Sequence, residues 1–349
     1  MSDERLWVAV VHGGTGGEHD VSCRSAEAIV HHLDPTRFRP VPVYIERDGR
    51  WTVAGPARQW GSPGSGVAAS VVAGLDAVRR CDVAFPAMHG EFGEDGHLQG
   101  VLAALGVPTV GCGLLASALG MDKVLTKTVL AAAGLTVADG VVVDVRDADL
   151  AAVADRLPLP VFVKPSRSGS SIGLTKVSRW ADLPAAIAVA AAVDPVVLVE
   201  AAIPGREIDI GVLELPDGTL RASPPLEIIL PDGVVFDYAT KYDPAITRLD
   251  VPAALDLAVY ERMREQALRA FRVLQCAGLL RVDFFVRPDG ELVLNEVNTF
   301  PGFTSGSQYP RMWEEAGLPF RSLLTTLIET ALAKAGVAAP AASSRTTIS

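Results

Sequence analysis

Four cysteines in 349 residues, Cys23, Cys81, Cys112 and Cys276, lie far apart with no repeated spacing. That leaves no disulfide framework and no thiolate metal site, and it suits a reducing compartment. Positive charge is also short: 31 Lys and Arg against 41 Asp and Glu give a formal net charge of −10. No basic surface for nucleic acid follows from such a balance. Long apolar runs are missing too. Leu183–Val193 is the most apolar stretch, bounded by Asp182 and Asp194, and it is too short to span a membrane. The start, MSDERLW, lacks the basic and apolar regions of a secretion signal, so a cytoplasmic protein with no membrane partner is expected. No internal repeat is visible.

What is present organises itself around Arg281–Ser307, RVDFFVRPDGELVLNEVNTFPGFTSGS. Two strands flank the turn Pro288-Asp289-Gly290, a hairpin signature. Alternation puts Arg281 and Asp283 on one face of the first strand, and Glu296 and Asn298 on one face of the second. If these faces meet, two carboxylates and an amide oxygen converge, a donor set suited to Mg²⁺. Beside them a guanidinium can neutralise a phosphoryl group or an oxyanion. A merely solvated charged face is the plainer alternative. The apolar residues around these charges, Phe284, Phe285, Leu292, Val293, Leu294 and Val297, oppose it, because buried carboxylates need a partner.

Upstream, the apolar strand Leu6–Val11 runs into the glycine loop His12–Asp20 and a helix reaching about Leu33. Strand, glycine loop and helix start form a layout that receives anions, although the glycine spacing departs from the dinucleotide fingerprint. Glu18 either complements the helix dipole or faces a crevice and binds a cation. Strands follow at Val41–Ile45 and Val83–Phe85, with a Gly/Pro/Ser surface loop over Gly55–Gly66 between them. The second strand ends in a glycine-rich loop that brings His89 towards the same crevice. A helix opens at Met121-Asp122-Lys123 and ends at Gly134, and Val161–Lys164 is a strand with a lysine at its exit. The Ser/Gly segment Pro165–Gly173 lies between two strands, unlike the phosphate loop that leads into a helix. Its small residues still let backbone N–H groups wrap phosphates as a flap, and Lys123 and Lys164 supply point charges. After the strand Val196–Glu200, Glu200 and Glu207 bracket the apolar strap Ala201-Ala202-Ile203. Glu207 can accept ribose hydroxyls or be a plain strand-edge carboxylate. A long helix spans about Ala253 to Cys276, and two more follow the hairpin.

Eight blocks, HGGTGGEHDVS, HGEFGEDGHLQG, GLLASALGMDK, KPSRSGSSIG, GREIDI, FDYATKY, RVDFFV and LNEVNTFPGFTSGS, occur in the order and spacing of D-alanine–D-alanine ligases. The chain resembles that family, of the ATP-grasp superfamily, from about Val8 to Phe320. The resemblance implies an α/β (α+β) three-domain architecture. Residues 1–118 would form a Rossmann-like substrate domain and 119–204 a central nucleotide lid. Residues 205–337 would form the C-terminal catalytic domain, before a disordered tail at 338–349. It implies ATP-dependent joining of two D-alanines for peptidoglycan precursors, with ATP, two Mg²⁺ ions replaceable by Mn²⁺, and a homodimer.

By motif, Asp283, Glu296 and Asn298 would hold the metal, and Lys123 and Lys164 the phosphates. Ser170 and Ser171 would belong to the flap, and Glu200, Glu207 and the Ala201–Ile203 backbone would hold adenine and ribose. Glu18 would anchor the first ammonium with His89 near the reacting groups, Arg281 and the Gly302 N–H would form the oxyanion site, and Ser307 would take the second carboxylate. Lys241 and Tyr242 would sit on a mobile loop, Tyr242 bonding toward Ser170 and Glu18. His97, where a small residue is usual, and Ala239-Thr240, in place of Glu-Ala, depart from the family pattern. A ligase with another second substrate (D-serine, D-lactate or a different amino acid) and a non-catalytic ATP- or amino-acid-binding protein are the alternatives. The retained Arg281 and metal set speak against the latter.

Overall fold

The computed structural model describes residues 5–54, 66–145, 150–231 and 247–337. Lys241, Tyr242 and Ala239-Thr240, the 55–65 loop and the 338–349 tail lie outside these residues.

Among the described residues, three sheets carry the fold. The first runs β3-β2-β1-β4, from β1 (Leu6–Gly13), β2 (Phe38–Ile45), β3 (Trp51–Val53) and β4 (Val83–Pro86). Strand β1 lies parallel between β2 and β4, and Val8 to Val11 are inaccessible to solvent. Continuous apolar runs of that kind belong to parallel strands covered on both faces. Helices α1 (His19–His32), α2 (Val67–Arg79) and α3 (His97–Leu105) accompany this sheet.

Next come α4 (Leu114–Met121) and α5 (Lys123–Ala132). The sequence pattern places one helix start at Met121–Lys123, but two helices meet there. Asp122 ends the first and caps the second, its carboxylate accepting from the N–H groups of Val124 and Leu125. The second sheet, β5-β8-β6-β7, is antiparallel, from β5 (Gly140–Asp144), β6 (Val161–Pro165), β7 (Thr175–Val177) and β8 (Val196–Ala201). With α6 (Leu150–Arg156) and α7 (Leu183–Ala191) it encloses its own apolar core.

The third sheet, order β12-β11-β9-β13-β14 with β10 also on β9, is antiparallel. It is built from β9 (Arg206–Glu214), β10 (Leu220–Ala222), β11 (Leu226–Ile229), β12 (Arg248–Asp250), β13 (Leu279–Val286) and β14 (Leu292–Asn298). Helix α8 (Leu257–Val273) starts later than the sequence suggests, with Asp256 as its cap residue. Helix α5 shares a core with this sheet through Leu130. Helices α9 (Gln308–Glu315) and α10 (Phe320–Lys334) join it to the first sheet, in a core where Val8, Ile29 and Phe85 meet Phe303, Trp313 and Leu327. That shared core brings the glycine loop after β1 and the loop after β14 to one place.

Candidate active site

The β13–β14 hairpin turns at Gly290, whose φ of 80° is the left-handed geometry that glycine adopts without strain. Arg281 pairs across the ladder with Asn298, and Asp283 with Glu296, so all four share one face. A register irregularity follows Asp283, where a bulge re-aims side chains. Arg281 donates from Nε and Nη2 to the two oxygens of Asp283, each at 2.7 Å, and from Nη1 to Gln308 Oε1 at 2.8 Å. Asn298 Nδ2 also donates to Asp283, at 3.0 Å. Burial disfavours the guanidinium charge, but Asp283 and Asp209 more than offset this and Arg281 stays protonated.

Asp209 on β9 sits opposite Asp283 and is wholly buried. Burial first and the Asp283 charge second push its carboxyl well above the usual range. Glu296, Asn298 and Arg281 line a cleft of about 770 Å³, while Asp283 lies behind them.

Across the cleft, Lys164 and Phe162 share a face of β6, and Glu200 pairs with Phe162 from β8. Lys164 reaches Glu200 at 2.5 Å, and Lys127 of α5 grips the other oxygen. Burial opposes the Lys164 charge, yet Glu200 and then Glu296 raise its pKa. For Glu200, burial works against ionisation, but Lys164 and Lys127 hold its pKa below the usual carboxylate value. Lys123 donates to the Ser168 carbonyl at 2.6 Å and stands 3.9 Å from Glu296. Ala201, Ile203 and Glu207 line the cleft; Ala202 does not, and its N–H is committed to the Pro160 carbonyl at 3.0 Å.

The segment between β6 and β7 folds over the cleft, with Ser170 and Ser171 at φ of 49° and 57°. Such backbone in non-glycine residues is held by its surroundings. Here Ser170 Oγ donates to the Glu18 carboxylate. Glu18 stands at the cap position of α1 but makes no capping bond, so it faces the crevice rather than serving the helix end. Gly90 and Gly169 pack against it so closely that any side chain would strike its carboxylate.

His89, also lining the cleft, bonds through Nε2 to Ser25 Oγ at 2.8 Å and packs its ring 5.4 Å from that of Phe300. Burial lowers its pKa from 6.5 to about 4. Its imidazole is therefore neutral at neutral pH. The ring resonances should stay unmoved in an NMR titration from pH 8 down past 6.5 and shift only near 4. Between those values the unfolded chain takes up a proton that the folded one refuses, so this group withdraws stability as pH falls below 6.5. A midpoint near 6.5 would contradict the buried, neutral assignment.

Gly302 and Ser307 line the cleft as well. Ser307 precedes α9, and its hydroxyl bonds Thr304 Oγ1 at 2.8 Å and accepts from the Thr304 N–H at 3.1 Å. His97 does not line the cleft; its exposed ring pairs with Asp95 at 2.8 Å.

Sequence reasoning missed Lys127, Asp209, Gln308 and Glu94. Lys127 is one helical turn beyond Lys123, and Asp209 two strand residues beyond Glu207, spacings that put each on the functional face. Glu94 accepts from the Gly90 N–H at 2.6 Å, and burial and then Glu18 raise its pKa. Its place after a glycine loop was its only signal.

A serine flap folded over a cleft between two antiparallel sheets, with lysines on one side and an Arg-Asp-Glu-Asn hairpin on the other, defines an ATP-grasp enzyme. Models of the D-ala D-ala ligase N-terminus and C-terminus match residues 7–112 and 129–329. The D-alanine–D-alanine ligase of Nocardia farcinica is 49% identical over 356 residues, covering 95% of this chain and 98% of that one. The VanG D-Ala:D-Ser ligase of Enterococcus faecalis superposes with a TM-score of 0.78 at 34% identity, over 94% of this chain and 99% of that one. The D-alanine–D-alanine ligase of Bacillus anthracis complexed with ATP gives 0.77 at 25% identity, over 95% and 99%. The chain belongs to the D-alanine–D-alanine ligase family.

Proposed function

We propose that this chain joins two D-alanines into D-alanyl-D-alanine at the expense of ATP, releasing ADP and phosphate, as a step in making peptidoglycan precursors. The observation that carries the reading is the convergence on one cleft of Glu18, Lys164, Arg281, Glu296 and Asn298. Curated relatives at 45–49% identity bear the D-alanine–D-alanine ligase name, which favours D-alanine over D-serine as second substrate.

A carboxylate is a poor electrophile. Transfer of the γ-phosphoryl group to the first D-alanine turns it into an acyl phosphate. The neutral amine of the second D-alanine then attacks the acyl carbon. A tetrahedral oxyanion forms and collapses with loss of phosphate. In this reading Glu18, fixed by Ser170, takes the first ammonium, and buried, neutral His89 lies beside the reacting groups without adding charge. Arg281 and the Gly302 N–H stabilise the oxyanion, and Ser307 at the start of α9 receives the second carboxylate.

Lys123 and Lys164 meet the phosphates under the flap of Ser170 and Ser171. Glu200, Glu207, Ala201 and Ile203 hold the base and ribose, Ala202 serving only as strap. Lys241 and Tyr242 complete closure and exclude water. Glu296 and Asn298, backed by Asp283, offer oxygen donors alone, which fits Mg²⁺ or Mn²⁺. When bound, two such ions would draw charge off the phosphates.

No helix among the described residues is long and apolar enough to cross a membrane. A cytoplasmic homodimer with domains at 1–118, 119–204 and 205–337 belongs to the same proposal. Phosphate release with Mg-ATP, with products identified by mass, should occur with D-alanine alone and yield the dipeptide. Turnover only after adding D-serine or D-lactate would move the enzyme to another product, and no turnover across D-alanine, L-alanine, D-serine and D-lactate would sink the ligase reading.

A further inference from the structure

A buried charge cluster at the edge of the cleft holds one member with no part in the chemistry described so far. Lys127 is 7% exposed and does not line the cleft. It grips Glu200 Oε1 while Lys164 holds Oε2 at 2.5 Å. Two ammonium groups thus share one carboxylate that is itself only 4% exposed. Glu296 of β14 adds its field, and Lys164 opposes.

Packing does not call for a lysine here. Position 127 lies on the buried face of α5 with Thr126 and Leu130, where methionine would fill similar volume without desolvating a charge. Burial, against the pull of Glu200, lowers the Lys127 pKa to about 8, so the ammonium is held there at a cost. Its partner Lys164 does line the cleft. An incoming phosphate, more highly charged than a carboxylate, draws Lys164 away from Glu200. With Lys164 as sole partner, that move would strand a buried carboxylate beside the nucleotide.

We propose that Lys127 is a positioning residue for nucleotide binding: it keeps Glu200 paired and in place while Lys164 turns to the phosphates. It touches no substrate and acts only through Glu200. The proposal rests on the ATP reading of the cleft.

The test measures Mg-ATP affinity by calorimetry, and kcat and KM, for the wild type, Lys127→Met, Lys127→Arg, Glu200→Gln and the double variant Lys127→Met/Glu200→Gln. Lys127→Met should raise Kd and KM for ATP about tenfold while kcat stays within about threefold, the split expected of a binding-only effect. Lys127→Arg, which restores the charge, should return affinity to within about threefold of wild type. In the Glu200→Gln background, Lys127→Met should add less than about twofold, because the two residues act as a pair. Wild-type ATP affinity in Lys127→Met, or a loss that adds independently of Glu200, overturns the proposal and leaves the ligase reading standing. Wild-type protein that binds no ATP overturns both. If Lys127→Met fails to fold, the double variant, which removes the Lys127 and Glu200 charges together and leaves Lys164 at the cleft, still decides: a loss well beyond twofold relative to Glu200→Gln overturns the proposal.

Discussion

Replacing Arg281 with lysine is expected to cut kcat by about 10²–10³-fold, the usual consequence of losing one oxyanion donor, with Mg-ATP affinity little changed. The guanidinium is a fork held from several sides: two bonds of 2.7 Å to Asp283, one of 2.8 Å to Gln308, and Asp209 at 3.4 Å from Nε. That grip still leaves N–H groups for the cleft. A lysine ammonium can pair with Asp283 or face the reacting carbon, but it cannot do both from one point. Stability should suffer less than chemistry, because a positive charge remains beside the buried aspartates. Arg281→Met, by contrast, should cost roughly 3–5 kcal/mol by leaving carboxylate charge unpaired. Comparing kcat with urea unfolding for the two variants separates these effects. A lysine variant within threefold of wild-type kcat would remove Arg281 from the oxyanion site.

The second large effect is expected at Glu296. Glu296→Gln keeps shape and removes charge at a cleft-lining position paired across the hairpin with Asp283 and 3.9 Å from Lys123. Substituting a group that only supports a metal ligand costs about 10–100-fold in affinity. Loss of a ligating carboxylate should weaken binding by at least about 100-fold and take turnover down with it. Mn²⁺ titration followed by electron paramagnetic resonance, in the presence of ATP, reads the metal directly. Undiminished Mn²⁺ affinity in this variant would place the ion elsewhere.

The hairpin is legible in the sequence because two local patterns agree: a Pro-Asp-Gly turn and period-two alternation. Together they put Arg281, Asp283, Glu296 and Asn298 on one face. The irregularity after Asp283 is not legible, since nothing in Asp283-Phe284 marks it. Glu18 shows where sequence stops. Dipole complement and cleft ligand predict the same residue at a helix start, and only Ser170, distant in sequence, distinguishes them. Asp209 and Lys127 are a different failure. Their spacing is right, but a charge inside an apolar strand or helix looks solvated until its burial is known. The join of α4 and α5 is blurred because Asp122 serves as the end of one helix and the cap of the next.

Activation of a carboxylate by ATP as an acyl phosphate is read out by an isotope transfer. D-alanine labelled with ¹⁸O in its carboxylate is turned over with Mg-ATP, and the released phosphate is weighed by mass spectrometry. ADP is the expected nucleotide product, with one ¹⁸O atom in the phosphate per dipeptide formed, because the carboxylate oxygen that receives the γ-phosphoryl group leaves with it. Label in AMP, with pyrophosphate released, would mean activation at the α-phosphate and no acyl-phosphate intermediate.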